Sequence, residues 1–367
     1  MTLIDSLIRQ ATQLRSPISG TFELTARCNL SCKMCYIHNA AQDAALQKQE
    51  LSTQQWIALA EQAKNAGTLI LLLTGGEPML RPDFPEIYRA CFERGFLLTV
   101  NTNGTLLRDG LFDLFTQCPP LRLNVSLYAM HREVYGELCG DPSAFDRVTE
   151  NLKRLRALGI AVQINFTATP YNQKELPEVQ RFAEEIGAKV HYTAYNFPPT
   201  RTALPCSEPC HRFTPEEAAE ATISYLRVSR SKEEFSAYCK VAAEAPPPRI
   251  DDCGEISDGV RCRAGRASYW ITYEGNMLPC GMLSPISVPV LDLGMKEAWK
   301  SLVAQFAEVK MPSGCIACAD YERCEVCPAI CYCETGDTSA VPEYICQKNR
   351  HYREILRSIT GEEEGTI

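Results

Sequence analysis

The sequence predicts an α/β protein, a partial (β/α)6 TIM-like barrel followed by a C-terminal cysteine-rich module. Three observations predict it. Six short apolar runs alternate with segments of helical period between residues 21 and 195. The 19 cysteines fall mainly into two blocks, Cys28, Cys32 and Cys35 near the start and ten between Cys253 and Cys346. Beyond residue 250 little apolar periodicity remains. Strands alternating with helices mean βα units around a parallel sheet, and clustered thiols mean metal more often than core.

The elements follow in order. MTLIDSLIRQATQLRS is mildly amphipathic and reads as a helical segment within 1–20. It lacks the basic n-region, apolar h-region and small-residue cleavage site of a secretory signal. The first strand, TFELT at 21–25, runs directly into the first cysteines. TQQWIALAEQAKNAG then sets Trp56, Leu59, Ala60 and Ala63 on one helical face and stops at Gly67. Next come strand 69–73, helix FPEIYRACFERG, strand 97–100, helix LRDGLFDLF, strand LRLNVSL, helix FDRVTENLKRLRALG, strand VQINFTA, helix ELPEVQRFAEEIG and strand KVHYTAY. This barrel core, 21–197, places its active site at the C-terminal ends of the strands. Pro-rich FPPTRTALPCSEPC opens a stretch of linker and helices over 198–252, with one amphipathic helix in FTPEEAAEATISYLRV and a boundary at APPPRIDD. The module at 253–347 has too little apolar sequence for a core of its own and needs metal as a staple. Residues 348–367 give a last helix and an acidic tail, GEEEGTI, expected to be disordered.

Charge narrows the function. With 37 Lys and Arg against 45 Asp and Glu the net charge is −8, which argues against nucleic acid or an anionic membrane as partner. The longest apolar run, 69–73, is far too short to span a bilayer. A cytosolic, reducing location is expected, where thiols hold metal or do chemistry.

The segment CNLSCKMCY places Cys28, Cys32 and Cys35 in one tight loop after a strand. Three such thiolates can hold three irons of a 4Fe-4S cube and leave the fourth open to an exogenous ligand. A zinc site or coincidence are the alternatives, although zinc prefers paired two-plus-two spacings. Here the sequence resembles the radical S-adenosylmethionine (radical SAM) superfamily, whose CxxxCxxC motif is followed by an aromatic residue, in this chain Tyr36. The resemblance implies that the open iron is chelated by S-adenosylmethionine, which is cleaved reductively to a 5′-deoxyadenosyl radical. The protein then supplies orientation and exclusion of solvent. Gly75, Gly76, Glu77 and Pro78, after the second strand, resemble the family's GGE turn, which grips the cofactor's amino group. Thr102 and Asn103, with Gly104, resemble its TNG turn near the ribose and methionyl moiety, and Ser126 the residue that binds the ribose hydroxyls. All fall at strand C-termini on successive units. The Arg that many relatives carry after that serine has only Arg132 as its counterpart, so carboxylate recognition is left open.

The second block, Cys262, Gly275 and Cys280, then Cys315, Cys318, Cys324 and Cys327, and last Cys346, resembles the SPASM extension of radical SAM enzymes. That extension implies two auxiliary [4Fe-4S] clusters, hence three in all. By analogy Cys315, Cys318, Cys324 and Cys346 ligate the distal cluster, and Cys262, Cys280 and Cys327 the proximal one with Cys253 as the fourth ligand. Cys331 and Cys333 leave the choice of Cys327 open, because the spacing here is two, five, two rather than two, five, three. A zinc ribbon is the alternative for this block. Cys91 and Cys118 read as buried small hydrophobes. Cys206 and Cys210 with His211 make a weaker metal candidate, and Tyr192, Tyr195 and Arg201 candidates for facing substrate or for packing. None of the five histidines lies in a motif, and no catalytic acid or base is identified.

Relatives with this plan mostly modify peptides. The expectation is therefore a maturase that oxidises or crosslinks a ribosomally made peptide, supplied with electrons by a flavodoxin or ferredoxin. No leader-binding domain precedes strand one, so a separate leader-binding protein is a candidate partner. A sulfatase-maturating enzyme and a small-molecule or haem-precursor enzyme are the alternatives, and a zinc-stapled binding protein is the non-enzymatic one.

Overall fold

A computed structural model describes residues 3–37, 39–198, 211–244 and 260–364. Its centre is a sheet of nine strands. Six parallel strands form the expected partial barrel wall in sequence order: β1 Ser19–Glu23, β2 Ile70–Thr74, β3 Leu97–Thr102, β4 Arg122–Ser126, β5 Val162–Thr167 and β6 Lys189–Thr193. The register carries Phe22 beside Leu73, Leu73 beside Val100, Val100 beside Leu123 and Val125 beside Ile164. Period-two alternation explains the two faces. Phe22, Leu71, Leu73, Leu98, Val100, Leu123, Val125, Ile164 and Phe166 are buried in the main core, whereas Thr99, Asn101, Gln163 and Asn165, which alternate with them, are only half-buried.

Helices α1 Leu3–Gln13, α2 Ala44–Gln49, α3 Thr53–Asn65, α4 Phe84–Glu93, α5 Asp109–Gln117, α6 Arg132–Cys139, α7 Ala144–Ala157 and α8 Leu176–Glu185 accompany these strands. Their starts and stops are local chemistry. Ser52 and Gln55 make a capping box at α3, and α6 ends on Gly140 in the left-handed conformation. After the barrel come α9 Pro215–Val228 and α10 Lys232–Glu244. Leu356 of the last helix packs with their Ile223, Leu226, Cys239 and Ala242.

The C-terminal part departs from expectation in two ways. It joins the main sheet: β7 Ser268–Ile271 runs parallel beside β1, with β8 Asn276–Leu278 and β9 Val288–Pro289 antiparallel beyond it. The Tyr269 ring lies so close over Gly20 that a Cβ there would sit 2.4 Å from it. SYWI is only four residues long, too short to carry a readable period of its own. This part also has an apolar cluster of its own, including Val260, Leu283, Phe306, Met311, Val326, Ile330 and Ile345. Those residues lie on α11 Val290–Phe306, α13 Pro328–Thr335, the C-terminal helix and irregular chain, with α12 Ser313–Ile316 between them; no single period links them. The C-terminal helix, α14 Glu343–Glu364, runs on through four residues of the tail expected to be disordered. The linker residues 199–210 and the boundary at 245–252 lie outside the described residues.

Candidate cofactor and cluster site

The cysteine loop leaves the C-terminal end of β1, and three sets of contacts fix its path. The first is a buried ionic cluster behind residues 25–27. Arg27 pairs with Glu50 at 2.7 Å, Arg81 with Glu50 at 3.3 Å and with Asp83 at 2.6 Å, and Arg81 also donates to the Leu24 carbonyl at 3.1 Å. These charges are stable in the interior only because each is paired and hydrogen-bonded. Nothing in the local sequence announces them.

The second is the turn after β2. The Gly76 N–H donates to Thr25 O at 2.8 Å and the Glu77 N–H to Arg27 O at 2.9 Å. A Cβ on Gly75 would stand 2.3 Å from Thr25 O, and one on Gly76 2.4 Å from Arg27 O. The glycine pair thus lets one backbone lie directly on another, immediately before Cys28. Glu77 is fully buried, and its carboxylate accepts from the Met79 N–H at 3.0 Å, the Thr102 hydroxyl at 2.9 Å and the Asn103 N–H at 2.7 Å. Burial pushes its carboxyl up to about 7 against the pull of those donors. The side chain expected to grip a cofactor is therefore engaged in tying the β2 turn to the β3 turn. Pro78 is buried at the start of the short 3-10 turn Pro78–Leu80.

The Asn103 side chain is likewise committed to the loop, donating to Asn29 at 2.9 Å and toward the Cys28 sulfur at 3.6 Å, while its carbonyl accepts from Thr105. Cys28 also receives the Leu30 N–H at 3.4 Å. The third set of contacts comes from α6: the N–H groups of Ser31 and Lys33, on either side of Cys32, donate to Cys139 O at 3.0 Å and Leu138 O at 2.9 Å. The three thiols share one half-buried loop, and the Cys35 N–H closes it onto Cys32 O at 3.0 Å. Burial and the Glu77 charge push the Cys28 thiol up to about 12, so metal binding there must be coupled to proton release.

Ser126 ends β4 beside Asn165. Tyr36 is half-buried against the C-terminal apolar cluster, where the cysteine loop meets that module. Arg132 pairs with Asp146 at 2.6 Å on a half-exposed surface. Tyr192 packs face to face between Phe166 and Tyr225, and Tyr195 donates to Glu334 at 2.7 Å. One unit had no sequence signal: Glu175 accepts from the Met130 and His131 N–H groups and holds the His131 ring at 2.9 Å, raising the imidazole's pKa.

The later cysteines separate into two groups. Cys262, Cys280 and Cys327 line a cleft of about 430 Å³ together with Trp270 and Phe306. Cys315, Cys318, Cys324 and Cys346 line another of about 250 Å³ with Tyr321 and Arg353. Cys331 is wholly buried and lines neither, and the Cys333 thiol donates to Met282 O at 3.4 Å. Cys253, Cys206, Cys210 and Arg201 lie outside the described residues. Among the described residues no three His, Cys, Asp or Glu side chains converge to hold one metal ion. Thiols that ring a cleft instead of meeting at a point suit a multi-iron cluster, whose irons hold their ligands apart. Burial, with Cys262 and Cys280 adding to it, pushes the Cys327 thiol up to about 12.

Residues 22–183, which take in the cysteine loop and most of the parallel partial barrel, match the model of the Radical SAM superfamily. That domain implies S-adenosylmethionine and a 4Fe-4S cluster. More particularly, the chain is 26% identical over 331 residues to the AdoMet-dependent heme synthase of Methanosarcina barkeri, covering 86% of this chain and 92% of that one. It is 30% identical over 182 residues to the Fe-coproporphyrin III synthase of the same organism, covering 50% and 44%. Among solved structures, SuiB of Streptococcus suis bound to S-adenosylmethionine superposes with a TM-score of 0.67 at 18% identity, covering 94% of this chain and 82% of that one. At that identity it shows the fold alone. No helix among the described residues is long and apolar enough to cross a membrane.

Proposed function

We propose that this radical SAM enzyme oxidises a haem precursor, an iron tetrapyrrole bearing carboxylate side chains, rather than a peptide. The observation that carries the reading is the similarity to a haem synthase, which runs over 86% of this chain and 92% of that one. Peptide maturation, the first expectation, draws on relatives of like plan, and the SuiB likeness adds fold alone.

In this reading Cys28, Cys32 and Cys35 hold the radical cluster. The backbone of the Gly75–Gly76 turn and Ser126, with Tyr36 beside the loop, receive S-adenosylmethionine; Glu77, Thr102 and Asn103 position that surface through their bonds to each other and to Asn29. The bound pair supplies a carbon radical able to take a hydrogen atom from an unactivated C–H. A net two-electron oxidation needs a destination for the second electron. We assign it to two auxiliary clusters of SPASM type in a module over 253–347. One would be held by Cys262, Cys280 and Cys327 with Cys253, and the other by Cys315, Cys318, Cys324 and Cys346; the grouping around separate clefts supports this division. A flavodoxin or ferredoxin is the proposed electron donor.

The test is anaerobic incubation of the reconstituted enzyme with S-adenosylmethionine, a reductant and Fe-coproporphyrin III. We expect 5′-deoxyadenosine to form together with a change in the mass of the tetrapyrrole. An unchanged tetrapyrrole, with a peptide losing two hydrogens under the same conditions, would return the protein to peptide maturation.

A further inference from the structure

We propose that Asn349 is a positioning residue of the distal auxiliary cluster: its side-chain amide donates a hydrogen bond to the sulfur of Cys324 and raises the reduction potential of that cluster, which then draws the second electron of the oxidation. This rests on the reading of Cys315, Cys318, Cys324 and Cys346 as the cluster's ligands and goes beyond it to a residue that belongs to no motif.

The contact is built by α14. Cys346, Asn349, Arg350, Arg353 and Arg357 follow one another at helical spacing and all line the cleft of about 250 Å³ that the four thiols ring. The helix that supplies the last ligand thus turns the same face, one turn on, toward the other three. Asn349 Nδ2 stands 2.8 Å from Cys324 Sγ. Asn349 is the seventh residue of a 22-residue helix, too far inside it to act as a cap, and asparagine is among the weaker helix formers. Its place there is explained by what its side chain reaches.

The sulfur is held still for this donor. The Cys324 N–H donates to Asp320 O at 3.0 Å, and Arg353, one turn beyond Asn349, pairs with the Asp320 carboxylate. The Cys324 carbonyl accepts from Arg261 Nη2 at 3.0 Å, and the Arg261 guanidinium lies 3.9 Å over the Tyr321 ring. Arg261 directly precedes Cys262, so one side chain ties the ligand segments of the two auxiliary clusters together.

The direction of the bond follows from chemistry. A cysteine that ligates iron is a thiolate, which accepts and cannot donate, so the NH2 of Asn349 and not its carbonyl oxygen faces the sulfur. A donor aimed at a ligand sulfur stabilises the added negative charge of the reduced cluster and raises its potential. Arg350, Arg353 and Arg357 act in the same sense from farther off, opposed in part by Glu354. An electron leaving the substrate then has a downhill course to the far cluster. An asparagine that merely packed on the helix would leave the potential untouched.

The measurement is EPR-monitored potentiometry of the reconstituted full-length enzyme. The distal cluster is recognised as the signal missing from the double variant Cys315→Ala, Cys346→Ala. We expect Asn349→Leu, close in size but without a donor, to keep its iron and to shift that signal's midpoint to more negative potential. The signal that responds to S-adenosylmethionine should stay where it is. An unshifted distal midpoint overturns the inference, as does an equal shift of every signal. Where Asn349→Leu loses iron, Asn349→Gln decides: its amide restoring the iron and the midpoint supports the assignment, and restoring neither overturns it. If the double variant keeps all its iron and every signal, the ligand reading itself fails and this inference with it.

Discussion

A carboxylate enclosed away from solvent is held by its donors alone, and Glu77 has three of them. In Glu77→Gln an amide NH2 must face groups that are themselves donors, and the expected cost is about 1–3 kcal/mol, read by urea denaturation. The pH dependence carries a definite sign. Burial raises this carboxyl to about 7, so the folded protein keeps a proton that the unfolded chain releases at ordinary carboxylate pH. The contribution of Glu77 to stability is full below the ordinary carboxylate range, falls as pH rises toward 7 and is flat beyond it. Glu77→Gln should lack that fall. The GGE letters are readable in the sequence, whereas the direction of the carboxylate depends on Thr102 and Asn103 lying on the neighbouring strand's turn, as the β2–β3 pairing dictates.

Where the β2 turn meets the cysteine loop, backbone lies directly on backbone, which makes the glycines of that turn sensitive points. In Gly76→Ala the new methyl would press on the Arg27 carbonyl, and a backbone cannot swing aside as a flexible side chain would. Overpacking of this kind costs about 1–3 kcal/mol. The loop displacement should also lower the iron bound at Cys28, Cys32 and Cys35, so denaturation and an iron assay together check the claim. Strand and helix positions in the barrel were legible because each element carries its own period and its own stop. The first strand was expected at 21–25 and is found at Ser19–Glu23, since residues 24–27 are taken up by contacts with the β2 turn. SYWI and the apolar residues of the C-terminal part were not legible, for their burial comes from partners elsewhere in the chain.

At the scale of the whole molecule, three [4Fe-4S] clusters would amount to about twelve irons per chain. Changing Cys28, Cys32 and Cys35 together to Ala should remove about four and abolish S-adenosylmethionine cleavage. Changing Cys262, Cys280 and Cys327 together should also remove about four, yet leave cleavage in place while oxidation of the substrate fails. An iron assay beside a 5′-deoxyadenosine assay separates the two sets. The clusters would share one framework because β7 lies on β1: Trp270 donates to Glu23 at 2.6 Å across that junction, and Tyr269 covers Gly20. The same strand that leads to the radical site thus borders the cleft of Cys262, Cys280 and Cys327.

By itself the sequence determined the six βα units, the two cysteine blocks and the radical chemistry they point to, because periodicity, capping and ligand spacing are local properties of a chain. Only the tertiary structure decided that Glu50 anchors Arg27 and Arg81, that Cys327 and not Cys331 faces Cys262 and Cys280, and that the end of α6 holds the backbone on either side of Cys32. Those pairings depend on which distant backbones pack together, and side chains so far apart along the chain leave no shared period or spacing to read.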